Sequence, residues 1–374
     1  MSKKVCIFSA YYPPDWKQGG TVQSIYSITN QFDKEFTVNV FCTSDKKTYK
    51  KSFFNPYGCK INIHFFKSIS VFRFSAKQFF SSCKYLKDAD YVYINGLWFW
   101  SSIFTIFMSK VFTFKLIIAP RGMLLPAAFE NKINLKYFLL FFYKLICNKK
   151  DTIIHWTSLY EKKKSVYKFL KTRKMIVPNI ITENEIWKNL KPVPKSKILS
   201  LIYIGRLHPI KNLENLILAI NLINKNELLI RLKIIGSGEK KYKRKLVSLI
   251  NKNFKAITFK GQLNGLARIK IIDQSHLGIL VSKNENFGMS VAEILARGRP
   301  VLISSNVGIK EYIFKSRACF VVNNLNSKNI QSELIELINL FKKGKISKLY
   351  REANNIASLN FMEKNEKFIF NLIK

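Results

Sequence analysis

Two carboxylates, Glu285 and Glu293, bracket a glycine-containing loop in Ser282-Lys-Asn-Glu-Asn-Phe-Gly-Met-Ser-Val-Ala-Glu293. The apolar run Leu277 to Ser282 reads as a buried parallel strand. Ser290 to Arg297 reads as a short helix that stops at Gly298, with Pro300 blocking its continuation and Pro300 to Ser305 forming the next strand. A loop at the carboxyl end of a parallel strand faces the crevice where open α/β sheets bind ligands. The helix after it aims its first N–H groups and the positive end of its dipole into that crevice. An anion, phosphate above all, fits against Phe287, Gly288, Met289 and Ser290, where Gly288 lets the backbone come close. Glu285 stands on the loop beside it, and Glu293, leaning back toward the helix N-terminus, can reach the same ligand. Carboxylates repel phosphate but accept hydrogen bonds from a sugar or ribose diol. The plainer alternative, a solvated loop acid and an ordinary acid near a helix start, stays open on spacing alone.

A second constellation, Gly205-Arg206-Leu-x-x-x-Lys211-Asn212, follows another strand, Leu199 to Ile204. Arg206 offers a forked donor and Lys211 a compact charge, a pair suited to a diphosphate. Together they could stabilise negative charge as it departs. In a chain this basic either residue alone could be surface charge. Gly236-Ser-Gly238 ends a further strand, but no third glycine or well-spaced acid follows, which disfavours a dinucleotide enzyme. The four histidines, His64, His155, His208 and His276, show no metal-ligand spacing, and His64 and His155 fall within strands as core residues. No metal site and no cofactor is expected, and no nucleophile turn or catalytic triad is present.

The elements that must hold these residues alternate strand and helix along the whole chain, which predicts doubly wound parallel sheets. With 374 residues two domains are expected. The fold class is α/β with two Rossmann-like sheets facing across a cleft. The boundaries are 1–190 for the first domain and 191–357 for the second, with 358–374 crossing back to the first. Lys191-Pro-Val-Pro-Lys195 is the linker. In the first domain Gly19-Gly20 follows the first strand and opens a helix, a ligand-binding loop in outline. Asn95 and Arg121 follow later strand ends there.

Lys and Arg number 63 against 23 Asp and Glu, a formal charge of +40. Biased codon usage, phosphate contacts with nucleic acid and attraction to anionic lipid all fit that excess. The lysines form no single tail and no nucleic-acid signature accompanies them, so no nucleic-acid partner is expected. Tyr137 to Ile146 is apolar around nearly its whole helical circumference. Burial in a core and contact with an anionic membrane surface both fit. Six scattered cysteines read as small core residues of a reducing compartment. The chain opens directly on strand residues and holds no apolar run of about 20 residues. A secretory leader and a membrane span are therefore not expected, and a cytoplasmic place, peripheral on the inner membrane face, is.

Gly205-Arg-Leu-x-x-x-Lys-Asn212, Gly236-Ser-Gly-Glu239, Glu285-Asn-Phe-Gly-Met-Ser-Val-Ala-Glu293, Gly298-Arg-Pro-Val301 and Val307-Gly-Ile-Lys-Glu-Tyr-Ile313 resemble, in order and spacing, the successive motifs of retaining GT-B glycosyltransferases of family 4. Pro120-Arg-Gly-Met-Leu124, Thr157-Ser-x-x-Glu161 and Pro178-Asn179 are similar to a subset that builds bacterial surface polysaccharides such as capsule and O-antigen. The resemblance implies a metal-independent hexosyltransferase using a UDP- or GDP-linked nucleotide sugar and a lipid-linked glycan acceptor. It leaves the donor base and the oligomeric state open. It implies that Arg206 and Lys211 bind the diphosphate, that Glu285 contacts the transferred sugar and that Glu293 contacts the ribose. Gly20 would approach the diphosphate, and Gly205, Gly236 and the Phe287–Ser290 backbone would line the donor pocket. Asn95 and Arg121 occupy the slots where many relatives place a sugar-side histidine. The glycine-rich tail after the Glu311 motif is replaced by Lys315-Ser-Arg-Ala-Cys319. A nucleic-acid-binding protein and a catalytically silent partner subunit are the competing expectations.

Overall fold

The computed structural model describes the chain except residues 1, 17–18, 45–48, 70, 130–132, 148–150, 168, 170, 182–189, 193–194, 252–254 and 363–374. The described residues fall into two compact units, one within 1–182 and the other within 183–362. The expected return crossing of 358–374 lies largely outside them.

The first unit is built on β1 (Lys3–Ser9), β2 (Phe36–Ser44), β3 (Tyr49–Phe54), β4 (Lys60–Lys67), β5 (Tyr91–Asn95), β6 (Lys115–Ala119), β7 (Thr152–Trp156) and β8 (Arg173–Ile176). Their order is β3-β4-β2-β1-β5-β6-β7-β8. β5 and β7 are buried along their length, as strands covered on both faces must be. Both faces of the sheet carry an apolar cluster. Ile7, Ile25, Val38 and Ile61 belong to one, and Phe8, Val92, Ile118 and Trp156 to the other. The departure from the expected parallel sheet is β3, which pairs antiparallel with β4 and closes that edge. Its mostly exposed residues include Lys50 and Lys51, charges that guard a free edge against further pairing.

The second unit holds β9 (Leu199–Ile204), β10 (Ile230–Ile235), β11 (Ile257–Gly261), β12 (Leu277–Leu280), β13 (Val301–Ser304) and β14 (Cys319–Val322). They run in the order β11-β10-β9-β12-β13-β14. Each neighbouring pair is parallel. The order reverses between β9 and β12, so loops leaving these strands splay apart and open the crevice that α/β sheets use. The helix Met289–Ala296 follows β12, and Gly298 at φ +70° ends it as the sequence predicts.

Among the described residues no helix is long and apolar enough to cross a membrane. Cys6, Cys42, Cys59 and Cys147 are buried and outside any disulfide among the described residues, while Cys83 and Cys319 are half-buried.

Candidate functional site

The loop after β9 and the loop after β12 meet at the carboxyl edge of the second sheet. Lys283 N–H donates to the Ile210 carbonyl at 2.8 Å, which ties the two loops together. Glu285 N–H donates to the Asn306 carbonyl and Glu285 C=O accepts from Gly308 N–H, both at 3.1 Å. The Glu285 backbone is thereby fixed on both sides. Lys211 is presented by a short turn whose first amide, Ile210 N–H, is capped by His208 Nδ1 at 3.3 Å. Asn212 then turns left-handed at φ +58° and anchors through Nδ2 to the Leu325 carbonyl at 2.9 Å. The result is a direct ion pair between the Lys211 ammonium and the Glu285 carboxylate. Lys211 is buried, and Glu285 retains partial exposure.

Arg206 sits exposed in the same loop, its carbonyl accepting from the Tyr203 hydroxyl at 2.8 Å. Burial, and then the charge of Glu285, push the Tyr203 phenol well above its ordinary range. Tyr203 thereby supports the backbone that carries Arg206. Among the described residues the Arg206 guanidinium has no protein partner.

Two glycines here serve the backbone. A Cβ on Gly236, at φ +146°, would lie 1.8 Å from the Gly205 carbonyl oxygen. One on Gly205 would lie 2.6 Å from the Tyr203 hydroxyl. The loops after β9 and β10 pass so closely that only hydrogen fits between them, so Gly236 is required first for packing.

Gly288 takes φ +99° as the residue before the helix Met289–Ala296, which has no acid in its first turn. The first amides of such a helix have no intrahelical acceptor. Phe287 turns inward, 2% exposed, against Tyr312 and Phe361, so it anchors the loop by its side chain. Met289 is buried and Ser290 half-exposed.

Glu293 is 2% exposed. Its Oε1 accepts from Arg268 Nη2 at 3.1 Å, while its buried Oε2 has no hydrogen-bond partner among the described residues. Burial raises its pKa above the usual carboxylate value, opposed by the Arg268 charge. Arg268, on the helix Gly265–Asp273, had no motif around it that could have pointed to it.

The remaining candidates lie in the first unit. Gly20 is the exposed first residue of the helix Gly20–Thr29, behind Gly19 at φ +66°. Asn95 and Arg121 are joined, Arg121 Nε donating to Asn95 Oδ1 at 2.9 Å. Arg121, left-handed at φ +55°, also donates to the Tyr93 hydroxyl at 2.7 Å and to Asn179 Oδ1. With its oxygen accepting from Arg121, Tyr93 donates to His155 Nδ1 at 2.9 Å, and His155 Nε2 then donates to the Val177 carbonyl at 2.9 Å. Burial, and then the Arg121 charge, hold His155 neutral and lower its pKa to about 3. Buried Glu161 closes the cluster, accepting from Gly122 N–H at 2.5 Å and from Thr157 N–H and Oγ1 at 2.8 and 2.7 Å. Ser158 caps the helix Leu159–Lys164 by accepting from Glu161 N–H at 3.0 Å. The Ser-x-x-Glu spacing matches the first half of a capping box, but the Glu161 carboxylate reaches the Thr157 and Gly122 amides instead of that of Ser158.

Residues 183–354 match the family model described as glycosyl transferases group 1. The match spans nearly the whole of the second unit. Solved structures similar to the chain share its fold over nearly full length. Sucrose-phosphate synthase from Thermosynechococcus elongatus superposes with TM-score 0.72 at 14% identity, covering 99% of this chain and 98% of that one. Anabaena HepE in complex with UDP and glucose gives TM-score 0.69 at 15% identity, with 96% of each chain covered. Trehalose-6-phosphate synthase OtsA gives TM-score 0.75 at 13% identity, with 99% of each chain covered. At such identities the likeness carries the fold, which is GT-B. No curated protein matches the chain by sequence.

Proposed function

We propose that the protein is a retaining, metal-independent hexosyltransferase. It would move a sugar from a UDP- or GDP-linked donor to a lipid-linked or oligosaccharide acceptor during bacterial surface polysaccharide synthesis. The observation that carries this reading is the Lys211–Glu285 pair, built at the edge of the sheet beside the helix start at Gly288. A diphosphate would compete with Glu285 for the Lys211 ammonium and take Arg206 as a forked second partner. Glu285, released, would accept from hydroxyls of the transferred sugar. The unpartnered Oε2 of Glu293 is an acceptor for a ribose hydroxyl, and such a buried oxygen gains most from finding a donor. Gly20 is taken as a further donor contact, and Asn95 and Arg121 as the acceptor or sugar side. In this mechanism the acceptor oxygen bonds to the anomeric carbon on the face that the diphosphate leaves. Its proton passes to the departing phosphate oxygen, and no protein nucleophile takes part.

The acceptor's lipid would be met at an anionic membrane face. The reading is supported by the helix Ile133–Cys147, which leaves Leu135, Tyr137, Phe138, Phe141 and Leu145 exposed, in a chain of formal charge +40. The deciding experiment is a thermal-shift panel of UDP, GDP and their sugars, followed by transfer assays. Stabilisation by one nucleotide, abolished in Lys211→Ala, is the expected outcome. No shift with any nucleotide, together with retention on heparin, would overturn the proposal in favour of nucleic-acid binding.

A further inference from the structure

A hollow of about 830 Å³ opens at the end of the second sheet opposite to the candidate donor site. Ser200, near the start of β9, Arg231, near the start of β10, and His276, just before β12, all line it. Ser200 and Gly205 stand at the two ends of β9, roughly 17 Å apart at the rise of an extended strand. The hollow is therefore not an extension of the Lys211–Glu285 site.

Its walls combine two features. Six basic residues, Lys191, Lys195, Arg231, Lys233, Lys270 and Arg297, line it together with one carboxylate, Asp273. That carboxylate is already engaged, accepting from Arg297 Nε at 2.9 Å and Nη2 at 2.8 Å. Among the described residues the other five basic side chains have no carboxylate partner. Lys233 Nζ donates to the Gln274 carbonyl at 3.0 Å. Burial, then the neighbouring Lys260 and Arg231, lower its pKa, the mark of cations crowded without compensation. Like charges around a concave, low-dielectric wall focus a positive potential into it. The second feature is apolar: Ile198, Leu266 and Ile269 line the same hollow, and Leu266 is 69% exposed. A bare inorganic anion would leave that wall uncovered.

We infer that this hollow is a second anion site, taking a phosphate ester with a short apolar body, separate from the donor site. The phosphate would be gripped by the Arg231 fork with Lys233 and Lys270, and the ester group would lie on Leu266 and Ile269. Such a compound is distinct in chemistry from a nucleotide sugar, whose hydroxyls call for free carboxylate acceptors, whereas the one carboxylate here, Asp273, is engaged by Arg297.

Calorimetric titration of the full chain with hexyl phosphate tests the site. One ligand per chain is expected, weakened about tenfold or more in the Arg231→Glu/Lys270→Glu double variant. Both residues are exposed, and Arg231→Gln/Lys270→Gln repeats the measurement without new negative charge. Lys211→Ala should leave the titration unchanged, which separates this site from the donor site whether or not the donor reading holds. Leu266→Ser should weaken hexyl phosphate while sparing inorganic phosphate. Flotation with vesicles containing phosphatidic acid distinguishes the source. Loss in the double variants would assign the phosphate to a lipid headgroup, and unchanged flotation with lost hexyl phosphate binding would assign it to a soluble ester. Hexyl phosphate binding that is non-saturable, or equal in wild type and both double variants, would overturn the inference.

Discussion

Lys211 and Glu285 satisfy each other's charge in a partly buried setting, so each variant removes a function and also leaves a charge without its partner. Lys211→Ala is expected to lower transfer about 10²–10³-fold, as loss of one preorganised cation at a departing anion does. It should cost about 1–3 kcal/mol of stability through the stranded Glu285 carboxylate. Glu285→Gln removes that carboxylate but keeps an acceptor, so Lys211→Ala/Glu285→Gln should regain part of the stability and none of the transfer. Calorimetric unfolding beside a transfer assay checks both. If transfer survives near wild-type level in Lys211→Ala, the site assignment fails. Gly236→Ala differs in kind. Its Cβ would collide with the Gly205 carbonyl oxygen, 1.8 Å away, so the expected result is loss of stability of about 3 kcal/mol or more. Nucleotide affinity would then fall only through misfolding, and a folded variant with normal stability would contradict the packing argument.

At the scale of elements, buried strands were legible because β5, β7 and β12 are short apolar runs bounded by turn residues. β3 was not legible. Its Tyr-Lys-Lys-Ser-Phe-Phe sequence has no alternation, because an edge strand exposed on most positions has no face to pattern. The candidate site was legible where chemistry sits on a strand end, at Glu285, Arg206 and Lys211. It was not where one residue supports another. Arg268 lies on a helix with no motif around it, and Tyr203 reads as one more apolar residue of β9. The helix Ile133–Cys147 shows the limit of composition. Leu140, Tyr143 and Ile146 pack inward, while Phe138, Phe141 and Leu145 point out, a division that an all-apolar sequence hides. If those exposed rings enter lipid, Phe138→Glu/Phe141→Glu should release the protein from vesicles containing phosphatidylglycerol. Each apolar side chain buried contributes about 1.5–3 kcal/mol, so the pair should shift the partition by at least tenfold. Flotation equal to wild type would reduce that face to ordinary surface.

At the scale of the whole molecule, acid should weaken the first unit through two buried neutral histidines. His155 is 1% exposed and has its pKa lowered to about 3, by burial first and the Arg121 charge second. His64 is 4% exposed and has its pKa lowered to about 4, by burial first and then Lys50 and Lys84. Both values lie below the unfolded value of 6.5, so the unfolded chain binds protons first on acidification. The stability these groups contribute is complete above pH 6.5 and is lost as pH falls toward 4 and 3. At pH 5 the loss is about 2 kcal/mol for each histidine. Glu161 works in the other direction: burial raises its pKa, so its contribution grows as pH falls. Comparison with His155→Gln cancels that term, since both proteins keep Glu161. Between pH 7.5 and 5 the wild type should lose about 2 kcal/mol more than His155→Gln, a difference of about 4–8 °C in Tm for the first unit. Parallel curves would mean that His155 takes up its proton over the same pH range in the folded and unfolded chain, and the buried-neutral assignment would fail. On protonation only the Tyr93 bond would reverse, with Nδ1–H donating to the Tyr93 oxygen beside Arg121, while Nε2–H still donates to the Val177 carbonyl.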